Sequence, residues 1–448
     1  MRQVETEILA RTPEHDLTPT LERIAAVVEL MGSPQRSYPV IHVTGTNGKT
    51  STARMTERLL REFGLRTGRF TSPHLHDIRE RIAFDGESIT PERFIAVYDE
   101  VAPYLAVVDQ RSAAAGQPML SYFEVLVAIA YASFADAPID VAVVEVGLGG
   151  EWDATNVADG QVAVITPIAL DHERFLGSTV VEIATEKAGI IKPGALAVVA
   201  QQEVDAAEVL MERVAHVQAT VAREGLEFGV LSREVALGGQ LLSLRGLGGD
   251  YEEIFLPLYG AHQAGNAACA LAAVEAFLGG GEQKLDAERI LAGFAGATSP
   301  GRLEVVRRSP TVLVDAAHNP AGAQALADAV EESFGFDRLV GVVAVLADKD
   351  ARGMLEILEP ILNEVVVTRT TSPRALDPEE LGSVAAQVFG TDRVHVSASL
   401  PDALDLAATL AETGGSDGPT ADGLGGVGVL ATGSVTTAAE VRLLLGGH

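Results

Sequence analysis

Cysteine is nearly missing from this chain of 448 residues: Cys269 stands alone, so no internal disulfide can form. It sits in an alanine-rich helical stretch and reads as core rather than as a nucleophile. Basic residues are also scarce, 33 against 62 acids, for a formal charge of −29. A field of that sign repels nucleic acid, whose binding needs clustered Lys and Arg to replace counterions. No apolar run is long enough to span a bilayer, which argues against a membrane protein. The first residues, Met1 to Glu7, carry acids and lack the basic and apolar regions of a secretory signal, so the expectation is a cytoplasmic protein, taken as a monomer acting on small molecules. The length exceeds one ordinary core and predicts two domains.

Against these absences stands Val40-Ile41-His42-Val43-Thr44-Gly45-Thr46-Asn47-Gly48-Lys49-Thr50-Ser51. A short apolar strand runs into a glycine-punctuated loop, and Ala53, Met55, Leu59, Leu60 and Phe63 follow at near-helical spacing, closed by Gly64. Backbone N–H groups and a helix N-terminus converge on one point in such a unit, and that point favours phosphate. Lys49 is placed to reach the β and γ phosphates of a nucleotide and Thr50 to meet a magnesium ion, with Gly45 and Gly48 allowing close backbone approach. The common P-loop has a glycine where this chain has Val43, so this is a shortened variant. The competing reading is a plain Gly/Asn turn carrying a solvated lysine.

Residues 17–32 read as an amphipathic helix through Leu17, Leu21, Ile24, Val27, Val28 and Met31. After the P-loop unit, Gly68-Arg69-Phe70 suggests a strand, and Ser72 to Ile82, rich in His and Arg, reads as a surface loop. Residues 91–135 look helical, with Phe123 and Glu124 opening an apolar helix. Asp140 to Gly147 is an apolar strand except for Glu145 near its carboxyl end, where a buried carboxylate needs a partner and a nucleotide-bound metal would supply one. A polar loop, Asp153 to Asn156, and a third strand, Val162 to Thr166, lead to Asp171-His172 at the same edge. His172 is a candidate metal ligand there, a structural histidine being the plainer reading. Lys187 has the bland reading of a cation at a helix C-terminus. Residues 225–258 suggest a hairpin subdomain, Gly296 to Arg302 a linker, and the strand–helix alternation from Thr311 onward a second, smaller α/β unit with a flexible loop at 414–427. The predicted fold is α/β: a P-loop NTPase-like, mostly parallel sheet with a hairpin subdomain over 1–298, and a doubly wound domain over 299–448.

Eight motifs in order carry a resemblance: Thr44 to Thr50, Thr71-Ser72-Pro73-His74, Glu145 to Gly150, Asp153 to Asn156, Glu186 to Ile190, His262-Gln263 with Asn266, Pro300-Gly301-Arg302 and Asp315 to Pro320. Together they resemble folylpolyglutamate synthases, including the bifunctional bacterial dihydrofolate synthases, with the Mur ligases as wider kin. The resemblance implies ATP-dependent, magnesium-dependent ligation of L-glutamate to folates and to dihydropteroate through an acyl phosphate. It assigns Lys49, Lys187 and His318 to catalysis, Lys187 as a carbamate. Nucleotide contacts fall to Gly45 through Ser51 (Thr46, Asn47, Gly48, Lys49 and Thr50 between them), to Asn266 and Asp315, and to Arg302 reaching the phosphates from the linker. Ser72, Glu145 and His172 would hold two magnesium ions, and His74, Arg81, Phe123, Asp153 and His318 would border the substrates. Glu151-Trp152 and Ala316 depart from the family pattern. The alternatives are a Mur-type ligase for a UDP-linked peptide, which predicts a further N-terminal domain, and a non-catalytic P-loop switch, which predicts a guanine-recognition motif not found here.

Overall fold

The computed structural model describes residues 1–13, 18–414 and 426–446. Leu17 and most of the expected loop at 414–427 lie outside the described residues. The chain forms two compact units: Met1–Arg233, Leu241–Pro257 and Ala264–Thr298 make the first, and Glu234–Gln240, Leu258–Gln263 and Ser299–His448 the second.

In the first unit the strands β1 (Val40–Thr44), β2 (Thr67–Phe70), β3 (Ile82–Phe84), β4 (Glu87–Ser88), β5 (Val141–Glu145), β6 (Val162–Ile165), β7 (Leu196–Val199) and β8 (Thr220–Arg223) form one sheet in the order β4-β3-β2-β5-β1-β6-β7-β8. Among the described strands only β3 runs against the others, pairing antiparallel with β2 and with the edge strand β4. β1 is central, paired in parallel with β5 and β6. All five of its residues are buried, as expected for a strand covered on both faces. The carboxyl ends of β1, β5 and β6 therefore lie side by side, where open α/β sheets gather ligands.

The helices α1 (Arg2–Leu9), α2 (Glu22–Leu30), α3 (Lys49–Glu62), α4 (Pro91–Ala114) and α5 (Tyr122–Asp136) include one, α1, that the sequence pattern did not reveal. Ile24, Val27, Phe94, Val101, Leu126 and Ile129 from α2, α4 and α5 pack with Phe70, Ala142 and Val144 of the sheet in one apolar cluster. A second cluster joins Ala163, Ile165, Ala197 and Val199 to α6 (Glu173–Leu176) and α7 (Val180–Ala188) through Leu176, Ile183 and Ala184. α3 ends as its sequence predicts: Gly64 has φ 80, and Leu65 N donates to Leu60 O at 3.3 Å.

One helical expectation is corrected. The helix of 17–32 starts only at Glu22, because Pro19 disfavours helical backbone at the residue before it. The helical stretch of 91–135 is borne out, with Gly116 at φ 65 between its two helices and the second, expected to open at Phe123 and Glu124, starting at Tyr122, where Ser121 and Glu124 cap each other's N–H groups.

Strands β9 (Gly229–Ala236), β10 (Gly239–Arg245) and β11 (Asp250–Leu256) make a three-stranded sheet from the predicted hairpin region. In the second unit, β12 (Glu304–Arg308), β13 (Thr311–Val314), β14 (Phe336–Val343), β15 (Glu364–Val367), β16 (Val394–Val396) and β17 (Gly426–Thr432) form a sheet in the order β12-β13-β17-β14-β15-β16, parallel except for β12. The last strand in sequence is inserted between β13 and β14, which is what makes this sheet doubly wound.

Candidate active site

β1 delivers the chain to a loop that only glycine can trace. Gly48 has φ 90 and stands at the N-cap of α3, where a Cβ would overlap the Asn266 amide oxygen; a Cβ on Gly45 would overlap the Thr166 hydroxyl. Thr46 N and Asn47 N donate to Pro167 O at 2.9 and 3.4 Å, so β6 supplies the far wall of the loop. These two amides face protein, which leaves the α3 N-terminus as the part of the loop suited to an anion. Lys49 Nζ donates to Gly45 O at 3.0 Å and Thr46 O at 2.9 Å, and Lys187 Nζ reaches the same Gly45 carbonyl at 2.8 Å. The bland reading of Lys187 as a helix-end cation is thereby overturned, since its side chain is buried. Burial, reinforced by the neighbouring Lys49 charge, pushes its pKa well down and favours the neutral amine.

At the end of β5, Glu145 is 1% exposed. Its carboxylate accepts from Thr50 Oγ1 at 2.8 and 3.0 Å and from Ser72 N at 3.2 Å, which unites three residues singled out by sequence. A carboxylate flanked by two hydroxyl-bearing residues is an oxygen-rich set, fitted to a hard divalent cation. No cluster of three His, Cys, Asp or Glu side chains suited to a metal exists among the described residues, so water and phosphate oxygens would have to complete any such shell. His172 caps α6 with φ 53, and its Nε2 lies 3.9 Å from Asp171 Oδ2.

The segment after Ser72 is the surface loop its charges suggested as far as Asp77, and it is ordered from within. Glu80 accepts from the N–H groups of Leu75, His76 and Asp77 at 2.8, 3.0 and 2.9 Å, folding it around a carboxylate, and Ile78–Arg81 forms a 3-10 turn leading into β3. Ile78, Arg81 and Ile82 are buried. Arg81 Nε donates to His74 Nδ1 at 2.9 Å, and its guanidinium lies 5.1 Å from the centre of the Tyr122 ring, so the two substrate candidates of this segment do meet.

Two other substrate candidates lie enclosed within the fold. Phe123 packs into the core beside Phe70, 5.8 Å between ring centres, with its ring filling the space a side chain on Gly147 would need. Asp153 is 3% exposed and turned inward: it accepts from Leu148 N and Thr155 N, each at 2.9 Å, and from the Thr155 hydroxyl. Its desolvation raises its pKa to about 6. The sequence reading missed why. Thr155 Oγ1 also meets His42 Nε2 at 2.9 Å on β1, and Tyr131 donates to Thr155 O at 2.6 Å, so a buried polar chain pins this loop to the P-loop strand. Because the Thr155 hydroxyl donates to Asp153, it accepts from His42, which puts the imidazole proton on Nε2. Burial drops the His42 pKa to about 3. Thr44 Oγ1 bonds Gly149 O at 2.8 Å and strengthens the same attachment. The divergent Trp152 lies against Gly149 and hydrogen-bonds the Glu186 side chain.

In the second unit Asp315 follows β13 and is 7% exposed. It accepts from Leu303 N and Ala317 N, both at 2.7 Å; burial raises its pKa, which the Arg302 charge opposes. His318 Nδ1 lies 3.0 Å from Ala316 O.

Comparison with known proteins decides the family. The Mur ligase middle domain matches residues 43–274 and the Mur ligase glutamate ligase domain residues 301–417. The dihydrofolate synthase/folylpolyglutamate synthase of Mycobacterium tuberculosis is 52% identical over 455 residues, covering 99% of this chain and 93% of the relative. The chain belongs to the dihydrofolate synthase/folylpolyglutamate synthase family. Members of this family with solved structures share its fold: Mycobacterium tuberculosis folylpolyglutamate synthase complexed with ADP superposes with a TM-score of 0.93 at 52% identity, covering 99% of this chain and 98% of that one. An Escherichia coli member, in complex with DHPP and ADP, gives 0.82 at 29% identity over 99% of this chain and 97% of its own.

Proposed function

We propose that this chain joins L-glutamate to the carboxylate of dihydropteroate and of reduced folates, driven by ATP. A carboxylate oxygen attacks the γ-phosphorus and ADP leaves; the glutamate amino nitrogen then attacks the acyl carbon, phosphate departs and the nitrogen loses its proton. The observation that carries this reading is the meeting of Thr50, Ser72 and Glu145 at the carboxyl ends of β1 and β5, beside Lys49 at the start of α3, an arrangement that suits a nucleotide with its metal better than a plain turn. Kinship to a member named for both activities and to one solved with DHPP and ADP supports the substrate class.

Gly45 to Ser51 cradle the phosphates, with Asn266 holding the loop from behind, and Arg302 and Asp315 take part in nucleotide binding. Magnesium, which would neutralise charge on the transferring phosphoryl, would be held by Ser72, Glu145 and His172. Lys187 is the modified lysine of the reaction: a buried amine kept neutral is the form that adds carbon dioxide to give a carbamate, and its lowered proton affinity supports that role. His74 and Arg81 face the pterin-bearing substrate and His318 the glutamate.

Incorporation of labelled glutamate into dihydropteroate and into tetrahydrofolate, with wild type and Lys49→Ala side by side, tests the proposal. The wild type should label both acids, and the variant should lose about 2.7–4 kcal/mol of transition-state stabilisation, as other preorganised donors do. Near-normal turnover in a folded Lys49→Ala would overturn the nucleotide assignment.

A further inference from the structure

Arg54 lies on α3 one turn beyond Thr50, on the same face of the helix. It is only partly exposed, and three carboxylates surround it electrostatically, Glu57, Glu80 and Glu145, together with the Arg69 guanidinium. Each of these carboxylates is already held by something else. Glu57 is paired with Arg69 and also accepts from Gly86 N at 3.0 Å and Thr67 Oγ1 at 3.3 Å. Glu80 is wrapped by the amides of Leu75, His76 and Asp77, and Glu145 is taken by Thr50 and Ser72. Among the described residues the Arg54 guanidinium makes no hydrogen bond or ion pair of its own. A half-buried guanidinium whose neighbouring carboxylates are all engaged elsewhere keeps its five N–H donors available to an acceptor from outside the protein.

We infer that Arg54 takes the oxygens of the acid substrate's carboxylate, the group that is to be phosphorylated; this rests on the ligase reading above. Chemistry and place agree. The phosphates have the α3 N-terminus and Lys49, whereas Arg54 lies a turn further on, toward Glu145 and the Glu80-organised segment that carries His74 and Arg81. A planar guanidinium matches a carboxylate with two parallel hydrogen bonds and offsets the repulsion between that anion and the γ-phosphate. Burial holds the Arg54 pKa to about 10, so the group stays charged at neutral pH. The aryl carboxylate of dihydropteroate and the glutamyl carboxylate of a folate offer the same chemistry, and the two are separate arms of the test.

Arg54→Ala and Arg54→Lys are compared with wild type in steady-state kinetics on dihydropteroate and on tetrahydrofolate, and in equilibrium binding of dihydropteroate against its carboxamide analogue. Loss of a charged hydrogen-bond pair should raise the KM for the acid about tenfold or more in Arg54→Ala while the KM for ATP stays within about twofold. The preference for acid over carboxamide should collapse in the same proportion, and Arg54→Lys should recover only part of it because a point charge replaces a fork. An effect with one acid only assigns Arg54 to that acid. An acid-to-carboxamide preference equal to wild type in both variants overturns the inference, whatever happens to stability or turnover. Failure of the wild type to label either acid would instead overturn the ligase reading, and the binding ratio would still report on Arg54.

Discussion

Two buried groups joined through Thr155 should respond to acid in opposite directions. His42 has its pKa lowered from 6.5 to about 3, so the unfolded chain binds a proton that the native state refuses, and stability present above pH 6.5 is lost as the pH falls toward 3. At about 1.4 kcal/mol per pH unit, moving from pH 7 to pH 4.5 removes about 2–3 kcal/mol. Asp153 works the other way. Its pKa is raised from 3.8 to about 6, so the native state gains the proton first, and the same acidification returns about 2 kcal/mol that its buried charge had cost. The two slopes nearly cancel in the wild type and separate in variants. Differential unfolding at pH 7 and pH 4.5 reads this directly. Relative to wild type, His42→Asn should become less destabilised, by about 2–3 kcal/mol, at the lower pH, and Asp153→Asn should become more destabilised by about 2 kcal/mol. If both variant-minus-wild-type differences are the same at the two pH values, neither group carries the proton linkage and the buried chain is electrostatically silent.

Glu145→Gln should raise the magnesium concentration needed for half-maximal activity, because a neutral amide is a poor ligand for a hard cation; a magnesium titration overlying wild type would make Glu145 structural. Gly48→Ala should lose nucleotide affinity while the core stays folded, since the new methyl meets the Asn266 amide at a backbone φ of 90; calorimetric titration with ADP checks it, and unchanged affinity would count against the loop geometry. Arg302→Lys should lower turnover about tenfold or more through loss of two-pronged phosphate contact, and a silent substitution would return Arg302 to the status of a linker residue.

The legible parts of the molecule were those where one residue type has one physical use. Gly45, Gly48 and Lys49 between an apolar run and a helical one could be placed on a β1–α3 turn, and Glu145 could be placed at a strand end because an isolated acid in an apolar strand demands a partner. The Ser72 to Ile82 segment was legible as a loop but its internal order was not, because the Glu80 carboxylate accepts from three of its backbone amides, which no periodicity records. The enclosure of Asp153 was hidden for a related reason. A polar residue in a polar loop looks exposed until its partners, Thr155 and through it His42 on a strand more than a hundred residues earlier, come into view. His42 carried a signal that could have been used, a histidine in the middle of an otherwise apolar strand. Arg54 carried none, since an arginine on an amphipathic helix looks like any other until its neighbours prove to be occupied.

The Gly45 carbonyl, shared by the amines of Lys49 and Lys187, also sets an order of events. While Lys49 rests there, its charge helps strip the proton from Lys187 and keeps that nitrogen's lone pair available. An anion that draws Lys49 away would return proton affinity to Lys187 and so blunt the proposed reaction with carbon dioxide. On the carbamate role proposed above, Lys187 would be most reactive while Lys49 rests on that carbonyl, and its modification would belong before the first nucleotide arrives. In carbon-dioxide-poor buffer, enzyme that has already met nucleotide and enzyme that has not should then start from different levels of activity.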